Sequence, residues 1–317
     1  MSTYSIAIHG GAGTIIAADM TPALKEAYEN ALREALHAGY ALLEKKASAM
    51  EAVIEATKLL EDNILFNAGR GSVFTRKGTH EMDASLMEGK NLNAGAVAGV
   101  QNIRNPIELA AAVMKSSQHV FLSGDGAKEF ALEKGIVLEP EGYFFSQFRY
   151  DQWKGARDAE NYSLDHSRIA VEQMMKEKKF GTVGAVACDM EGNLAAATST
   201  GGMTNKNYGR IGDTPIIGIG TYADNATCAI SCTGHGELFI KSVAAYDVSA
   251  RMQYGKLSLE QAMHETVMVK LRQIGGEGGM IGVDASGRIS MIFNSEGMYR
   301  AMKDGEGREE ISIFRKN

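Results

Sequence analysis

Two apolar segments, Thr182 to Asp189 and Asn193 to Thr200, are separated only by Met190-Glu191-Gly192, and so short a connection commits them to an antiparallel hairpin. A three-residue loop with glycine at its third position is the type I turn with a G1 bulge. In that register Asp189 faces Asn193, and Thr182 therefore faces Thr200. Cross-strand partners project from the same face with Cβ atoms about 4.5 to 5.5 Å apart, which brings the two hydroxyls within reach of each other. A two-residue loop would instead pair Thr182 with Gly201 and send Thr200 to the opposite face. The competing account of Thr198-Ser199-Thr200-Gly201-Gly202 is a plain strand end.

Thr182 follows a glycine and, before it, the charged run Lys176-Glu177-Lys178-Lys179-Phe180. A threonine hydroxyl is a poor nucleophile until a base takes its proton. An α-amino group titrates near pH 8, roughly 7.7 to 8.0, so breaking the Gly181–Thr182 bond would put a nucleophile and its base on one residue. An internal Thr182 has only an amide nitrogen, which is not basic. Either the chain is cut here, or Thr182 is an ordinary strand-entry threonine.

With 317 residues the chain can bury a large core, and we read it as one α/β domain. Hydrophobic residues make up 44%, and 36 glycines stand against 4 prolines, which suits a folded protein with many tight turns. The formal charge of −6 comes without a basic stripe, so nucleic acid and anionic membrane are not expected partners. Nowhere do apolar residues run long enough to span a bilayer, and Met1-Ser2-Thr3-Tyr4-Ser5 lacks a cationic leader. The expectation is a soluble cytoplasmic protein. Cys188, Cys228 and Cys232 form no C-x-x-C and no paired framework, and read as small core residues. Among the histidines, His9 and His235 alone sit in glycine-rich segments.

The chain opens with a strand, Tyr4 to Ile8, leading into a tight turn at His9-Gly10-Gly11-Ala12-Gly13, which has neither the Walker lysine nor the G-x-G-x-x-G spacing of a phosphate loop. Thr21-Pro22 starts a long amphipathic helix with Leu24, Tyr28, Leu32, Leu36 and Tyr40 at intervals of four. Ser48 and Glu51 form a capping box for a second helix that ends near Glu61. Thr79 to Leu86 and Ala94 to Val100 read as a hairpin, and Pro106 to Ser116 and Ala127 to Lys134 as helices. Gln152 to His166 is polar and aperiodic, and reads as a mobile linker, with a short helical pattern from Arg168 to Met175 before the charged run.

Tyr208-Gly209-Arg210-Ile211-Gly212-Asp213 sets a guanidinium and a carboxylate three residues apart. An arginine fork binds a carboxylate and an aspartate accepts from an ammonium, so the pair matches an α-amino-acid head group. The alternative is that Arg210 and Asp213 bind each other. The strand Cys228 to Cys232 runs into Thr233-Gly234-His235-Gly236-Glu237, followed by a helix from about Leu238. Backbone N–H groups at such a turn, with the Thr233 hydroxyl, suit an oxyanion. A plain strand-to-helix turn, with Glu237 in the first helical turn, is the rival.

The segments His9-Gly10-Gly11-Ala12-Gly13, Leu65-Phe66-Asn67-Ala68-Gly69-Arg70-Gly71, Asp83-Ala84-Ser85, Gly181-Thr182-Val183-Gly184-Ala185-Val186, Thr198 to Met203, Gly209 to Asp213 and Thr233 to Glu237 occur in one order along nearly the whole chain. Taken together, this set resembles the plant-type asparaginase and isoaspartyl peptidase family of N-terminal-nucleophile hydrolases. The resemblance implies an α/β fold, a four-layer αββα sandwich with predominantly antiparallel sheets. It also implies self-cleavage of the single domain 1–317 into an α chain, 1–181, whose residues 152–181 form the linker, and a β chain, 182–317, assembled as (αβ)₂. Thr182 corresponds to the nucleophile, freed by the cut after Gly181, and Thr200 to the threonine bonded to it. Arg210 and Asp213 correspond to the holders of the substrate's α-carboxylate and α-amino group, and Thr233 and Gly234 to the oxyanion donors. Gly236 and Asn67 are carried over as substrate-binding positions.

The resemblance further implies a structural sodium ion held by backbone oxygens of Leu60, Glu61, Asn63, Phe66, Ala68 and Arg70, and no cofactor for catalysis. Two positions depart from the family pattern. His235 stands where bacterial members often carry threonine, which bears on substrate preference, and Arg70 stands where an aliphatic residue is common, which bears on the sodium loop. The implied activity is hydrolysis of L-asparagine and β-aspartyl dipeptides. Rival readings are a glycosylasparaginase, whose members are typically secreted and disulfide-bonded, a threonine endopeptidase, and an unprocessed homologue that only binds amino acids.

Overall fold

Thr21 accepts a hydrogen bond from the Leu24 N–H at 3.2 Å and starts α1 (Pro22–Glu44), with proline in the first turn where its missing N–H costs nothing. Ser48 and Glu51 close the reciprocal capping box of α2 (Ala49–Asp62). The computed structural model describes residues 4–13, 15, 20–165 and 181–315. In it the two helices cross at Gly39, where a Cβ would stand 2.5 Å from Ile6 Cδ1 and 2.9 Å from the Ala52 carbonyl. Glycine there lets α1 lie close on both α2 and the sheet beneath.

The strands are β1 (Ser5–Gly13), β2 (Met82–Glu88), β3 (Ala94–Val100), β4 (Phe121–Ser123), β5 (Val183–Cys188), β6 (Leu194–Thr200), β7 (Thr221–Ala223), β8 (Cys228–Gly234), β9 (Gly278–Asp284), β10 (Ile289–Phe293), β11 (Gly297–Asp304) and β12 (Glu309–Phe314). Eight of them form one sheet in the order β12-β11-β1-β5-β6-β2-β3-β4, and four form a second in the order β10-β9-β8-β7. Neighbours are antiparallel except β3 and β4, so the larger sheet is mixed.

Alternation along the strands sorts the core. Ile6 and Ile8 of β1, with Val183, Ala185 and Ala187 of β5, pack under Leu32, Leu36, Val53 and Leu60 of α1 and α2. The intervening Ala7 and Val186 face Ala229, Ile281 and Val283 of the second sheet. On that sheet's other side, Cys228, Ile230 and Cys232 pack on Phe239, Val248 and Met263. Period-two patterning thus gives each sheet one helix-facing and one sheet-facing surface. The three cysteines are free and buried, as core residues would be. The helices on the second sheet are α7 (Gly236–Ser242), α8 (Ala244–Gln253) and α9 (Leu259–His264). Those between the hairpins of the larger sheet are α3 (Pro106–Ser116), α4 (Gly124–Glu133), α5 (Glu141–Phe144) and α6 (Gln147–Asp165). Among the described residues no helix is long and apolar enough to cross a membrane.

Two expectations are corrected here. The segment from His9 to Gly13 is not a turn: β1 runs through it, with a bulge between His9 and Gly11. Glycine serves packing rather than reversal, since a Cβ on Gly10 would overlap the Phe66 ring. The linker expected over 152–181 is helical as far as Asp165, because α6 is anchored by tertiary contacts that a polar sequence does not advertise. Trp153 lies 5.7 Å from the Phe74 ring and 5.6 Å from Tyr150, while the buried Arg149 donates to the Gly71 carbonyl at 2.9 Å. Residues 166–180 of that linker, with the helical pattern at Arg168 to Met175, lie outside the described residues.

Candidate active site

The β5–β6 hairpin closes as its loop demands. Asp189 N–H bonds the Asn193 carbonyl at 3.0 Å, Gly192 takes φ +80°, and Val183 pairs Ser199. One step further, Thr182 Oγ1 donates to Thr200 Oγ1 at 3.3 Å. Both residues are buried.

The carbonyl of Gly181, the acyl group of the bond preceding Thr182, receives two donors. Thr200 Oγ1 donates to it at 2.8 Å and Asn67 Nδ2 at 2.9 Å. Asn67 is held in turn by its second Nδ2 bond to the Gly202 carbonyl at 2.7 Å and by the Val73 N–H donating to Oδ1 at 3.0 Å. Thr200 Oγ1 also accepts from the Gly202 N–H at 3.0 Å. Gly201 has no room for a side chain, whose Cβ would stand 2.5 Å from Asn67 Oδ1 and from Ser72 Cβ. Gly11 brings β1 close beneath the same bond, with its Cβ direction 3.3 Å from Gly181 Cα. Asn67 thus sits at the junction with Gly181 rather than among the side chains of the head-group loop.

Arg210 does not pair with Asp213. Its Nε and Nη2 donate to the two carboxylate oxygens of Glu237, each at 2.9 Å, and Glu237 Oε2 also lies 3.5 Å from His235 Nε2. Burial opposes the Arg210 charge, but the Glu237 bonds outweigh it and hold the guanidinium above its ordinary pKa. Glu237 is likewise penalised by burial and held below its usual range by Arg210. Asp213 is buried, and its Oδ2 has no hydrogen-bond partner. Burial pushes its carboxyl up to about 7, against the pull of Arg210. Gly236 lets the two loops touch, since a Cβ would stand 2.8 Å from Asp213 Oδ1 and 2.9 Å from Arg210 Nη2.

Thr233 is buried at the end of β8, where its Oγ1 accepts from the Ala12 N–H at 3.1 Å, leaving its own proton to donate elsewhere. Gly234, at φ +148°, is pinned against β9, and a Cβ would stand 2.6 Å from Gly278 Cα. Gly181, Thr182, Thr200, Gly202, Arg210, Gly212, Asp213, Thr214 and Gly234 line one cleft whose free volume is about 10 Å³. That is room for roughly one water molecule. A larger cavity of about 330 Å³ opens at the other end of the hairpin, beside Lys46, Ser48, Lys90 and Asp189. Asp189 there accepts from the N–H groups of Ala49, Glu191 and Asn193.

The loop after α2 is dense in backbone carbonyls, of which those of Leu60, Asn63, Phe66 and Ala68 each accept one backbone N–H within the loop and keep a second lone pair. The last carbonyls of a helix have no intrahelical donor, and the chain then folds back on them. Gly69, at φ +50°, passes so near that a Cβ would stand 2.5 Å from the Glu61 carbonyl, and one on Gly71 would stand 2.7 Å from that of Ile64. Leu60, Glu61, Phe66 and Ala68 are buried, and Asn63 is partly so. The exposed Arg70 side chain turns outward to the Tyr143 ring, 5.5 Å away. The Glu61 carboxyl is buried, accepts from the Ile107 N–H at 3.0 Å, and is pushed up to about 8 by desolvation.

His9, Gly11, Gly202 and Glu237 border this site without having been given a role in it from sequence. Clustered glycines were the available signal for the first three. Glu237 gave none beyond its place in a helix's first turn.

A family model described as asparaginase matches residues 2–313. The chain is 52% identical over 301 residues to the isoaspartyl peptidase of Salmonella typhimurium, covering 95% of each protein. It is 51% identical to the isoaspartyl peptidase of Escherichia coli, over 95% of this chain and 93% of the relative. It is 42% identical to the plant-type L-asparaginase of Pyrococcus furiosus, over 98% of this chain and 99% of the relative.

Proposed function

This chain belongs to the asparaginase family, and from that premise we propose that it is a self-processing threonine amidohydrolase acting on β-aspartyl peptides and L-asparagine. The observation that carries the proposal is the doubly bonded Gly181 carbonyl beside the Thr182 hydroxyl. It fits the αββα sandwich of N-terminal-nucleophile hydrolases, with 1–181 and 182–317 as the two chains.

In the first stage Thr182 Oγ1 attacks the Gly181 carbonyl carbon. Its proton passes to Thr200 Oγ1, whose own proton is already directed at the Gly181 oxygen, so the tetrahedral intermediate forms neutral. Asn67 Nδ2 steadies that oxygen. Collapse breaks the bond to the Thr182 nitrogen, which takes up the hydroxyl proton, and leaves an ester between Gly181 and Thr182 Oγ1. Water hydrolyses the ester and frees the amine. The narrow cleft supports this order of events, since a free volume near that of one water leaves no room for an amino acid while Gly181 lines it.

In the second stage the Thr182 amine takes the proton of its own hydroxyl, which attacks the side-chain amide of the substrate. The α-carboxylate lies on the Arg210 fork, sharing it with or displacing Glu237, and the α-ammonium lies on Asp213 and ionises it. Thr233 Oγ1–H and the Gly234 N–H face the developing oxyanion. The leaving amine departs with the proton held by Thr182, and water hydrolyses the β-aspartyl ester to release aspartate. A sodium ion in the loop of Leu60, Glu61, Asn63, Phe66, Ala68 and Arg70 would brace the segment that carries Asn67. No chemical step passes through it. An (αβ)₂ particle is the assembly expected with this reading.

Intact-mass measurement of purified protein, with ammonia release from L-asparagine and hydrolysis of a β-aspartyl dipeptide, tests the proposal. The expected result is two polypeptides meeting at Gly181 and Thr182, both activities in the cleaved form, and a Thr182→Ala chain that stays whole and inert. An active protein with an uncut chain would overturn it.

A further inference from the structure

We infer that His9 is a positioning residue for Thr182, a neutral imidazole whose Nδ1–H holds the Thr182 carbonyl while its bare Nε2 faces the buried Ser231 hydroxyl. The inference rests on the role proposed for Thr182.

His9 Nδ1 lies 3.1 Å from the Thr182 carbonyl oxygen and Nε2 lies 2.9 Å from Ser231 Oγ. The ring is fully buried, and burial pushes its pKa down to about 3, so it carries one proton at working pH. A carbonyl only accepts, so that proton belongs on Nδ1. Nε2 is then bare and must accept, and the hydroxyl beside it is Ser231. From there the contacts continue to Thr198 Oγ1 at 2.7 Å, to Thr221 Oγ1 at 2.5 Å and to Ser85 Oγ at 2.8 Å. All four residues are fully buried. Carbonyl acceptors flank these hydroxyls as well, Ala197 at 3.1 Å from Ser231 Oγ, Gly220 at 3.3 Å from Thr198 Oγ1 and Thr214 at 2.6 Å from Ser85 Oγ, so the Nδ1–H assignment rests on the Thr182 carbonyl.

Gly184 supports the same assignment. It pairs His9 across β1 and β5, and a Cβ there would overlap Ser231 Oγ and stand 2.6 Å from His9 Nε2. A side chain at 184 would sever the ring from its hydroxyl.

The need for such a hold arises from the cut itself. Once Gly181 is released, Thr182 is a chain end that precedes the first residue of β5, and the covalent tether on its amino side is gone. The His9 bond then fixes the orientation of the Thr182 peptide plane, and with it the direction of Oγ1. A misplacement of about 1 Å at a reacting atom costs on the order of 100-fold in rate.

Two replacements separate positioning from mere space filling. An asparagine amide reaches the place of Nδ1, whereas the longer glutamine reaches the place of Nε2. In the cleaved enzyme His9→Asn should keep kcat within about 10-fold of the parent, while His9→Gln, nearer in volume to histidine, should lose on the order of 100-fold, with KM unchanged in both. Nitrogen-15 shifts of the His9 ring in the parent protein should report a proton on Nδ1 and none on Nε2 from pH 5 to 8. A glutamine variant as active as the asparagine variant, or a proton found on Nε2, would overturn the inference. The ring signature is read whether or not the chain is cut, so an uncut parent protein would refute the proposed function without touching the tautomer assignment.

Discussion

Replacing Asn67 by alanine should leave a folded chain that cuts itself slowly. The Gly181 oxygen has two donors, Thr200 Oγ1 at 2.8 Å and Asn67 Nδ2 at 2.9 Å, and the substitution removes the second. Loss of one preorganised oxyanion donor costs roughly 100- to 1,000-fold, or about 2.7 to 4 kcal/mol of barrier. The same change strands the buried Val73 N–H and Gly202 carbonyl, each costing about 1 to 3 kcal/mol of stability. Asn67→Asp divides the two effects. It keeps an acceptor for Val73 but turns a second acceptor toward the carbonyls of Gly181 and Gly202, so cleavage at pH 8 should be slower than in the alanine variant. Protonation restores one donor, and the aspartate variant should speed up as pH falls. Pulse synthesis in a cell-free system, quenching at intervals and measuring intact mass would give the rates, with a circular dichroism melt to verify folding. A folded Asn67→Ala chain that cleaves within threefold of the parent rate would refute the reasoning.

Burial lifts the Asp213 carboxyl from 3.8 to about 7. A folded-state value above the unfolded one means that its stabilising contribution is complete below about pH 4 and lost as pH rises toward 7. Asp213→Asn, placed in an uncut Thr182→Ala background, should therefore narrow the difference in melting temperature between pH 5 and pH 8, and an unchanged difference would contradict this. Gly184→Ala should slow self-cleavage and cost about 1 to 3 kcal/mol through overpacking against Ser231 and His9, measured by gel time course and denaturant melt. Ser48→Ala should lose the capping box of α2 at a cost of about 1 kcal/mol while cleavage proceeds at the parent rate, since the cap lies at the opposite end of the β5–β6 hairpin.

Local signals carried the elements whose partners lie nearby in sequence. Thr21, Ser48 and Glu51 marked helix starts because a cap is satisfied within one turn. The Thr182–Thr200 pairing was legible because a three-residue loop leaves one register and β side chains alternate strictly. The strand through His9 to Gly13 was misread as a turn because its glycines answer to Phe66 and Gly181, residues distant in the chain. The helix α6 was misread as linker because its anchors, Arg149 and Trp153, bind Gly71 and Phe74 across the fold.

The sequence by itself determined the residue types, the spacing and the hairpin register that set Thr182 opposite Thr200. Tertiary structure alone decided that Asn67 and Thr200 converge on the Gly181 carbonyl, that Arg210 grips Glu237 instead of Asp213, and that His9 reaches Thr182. The reason is physical. A turn or a cap is closed by neighbours along the chain, whereas a buried polar group must find whatever donor or acceptor the packing brings to it.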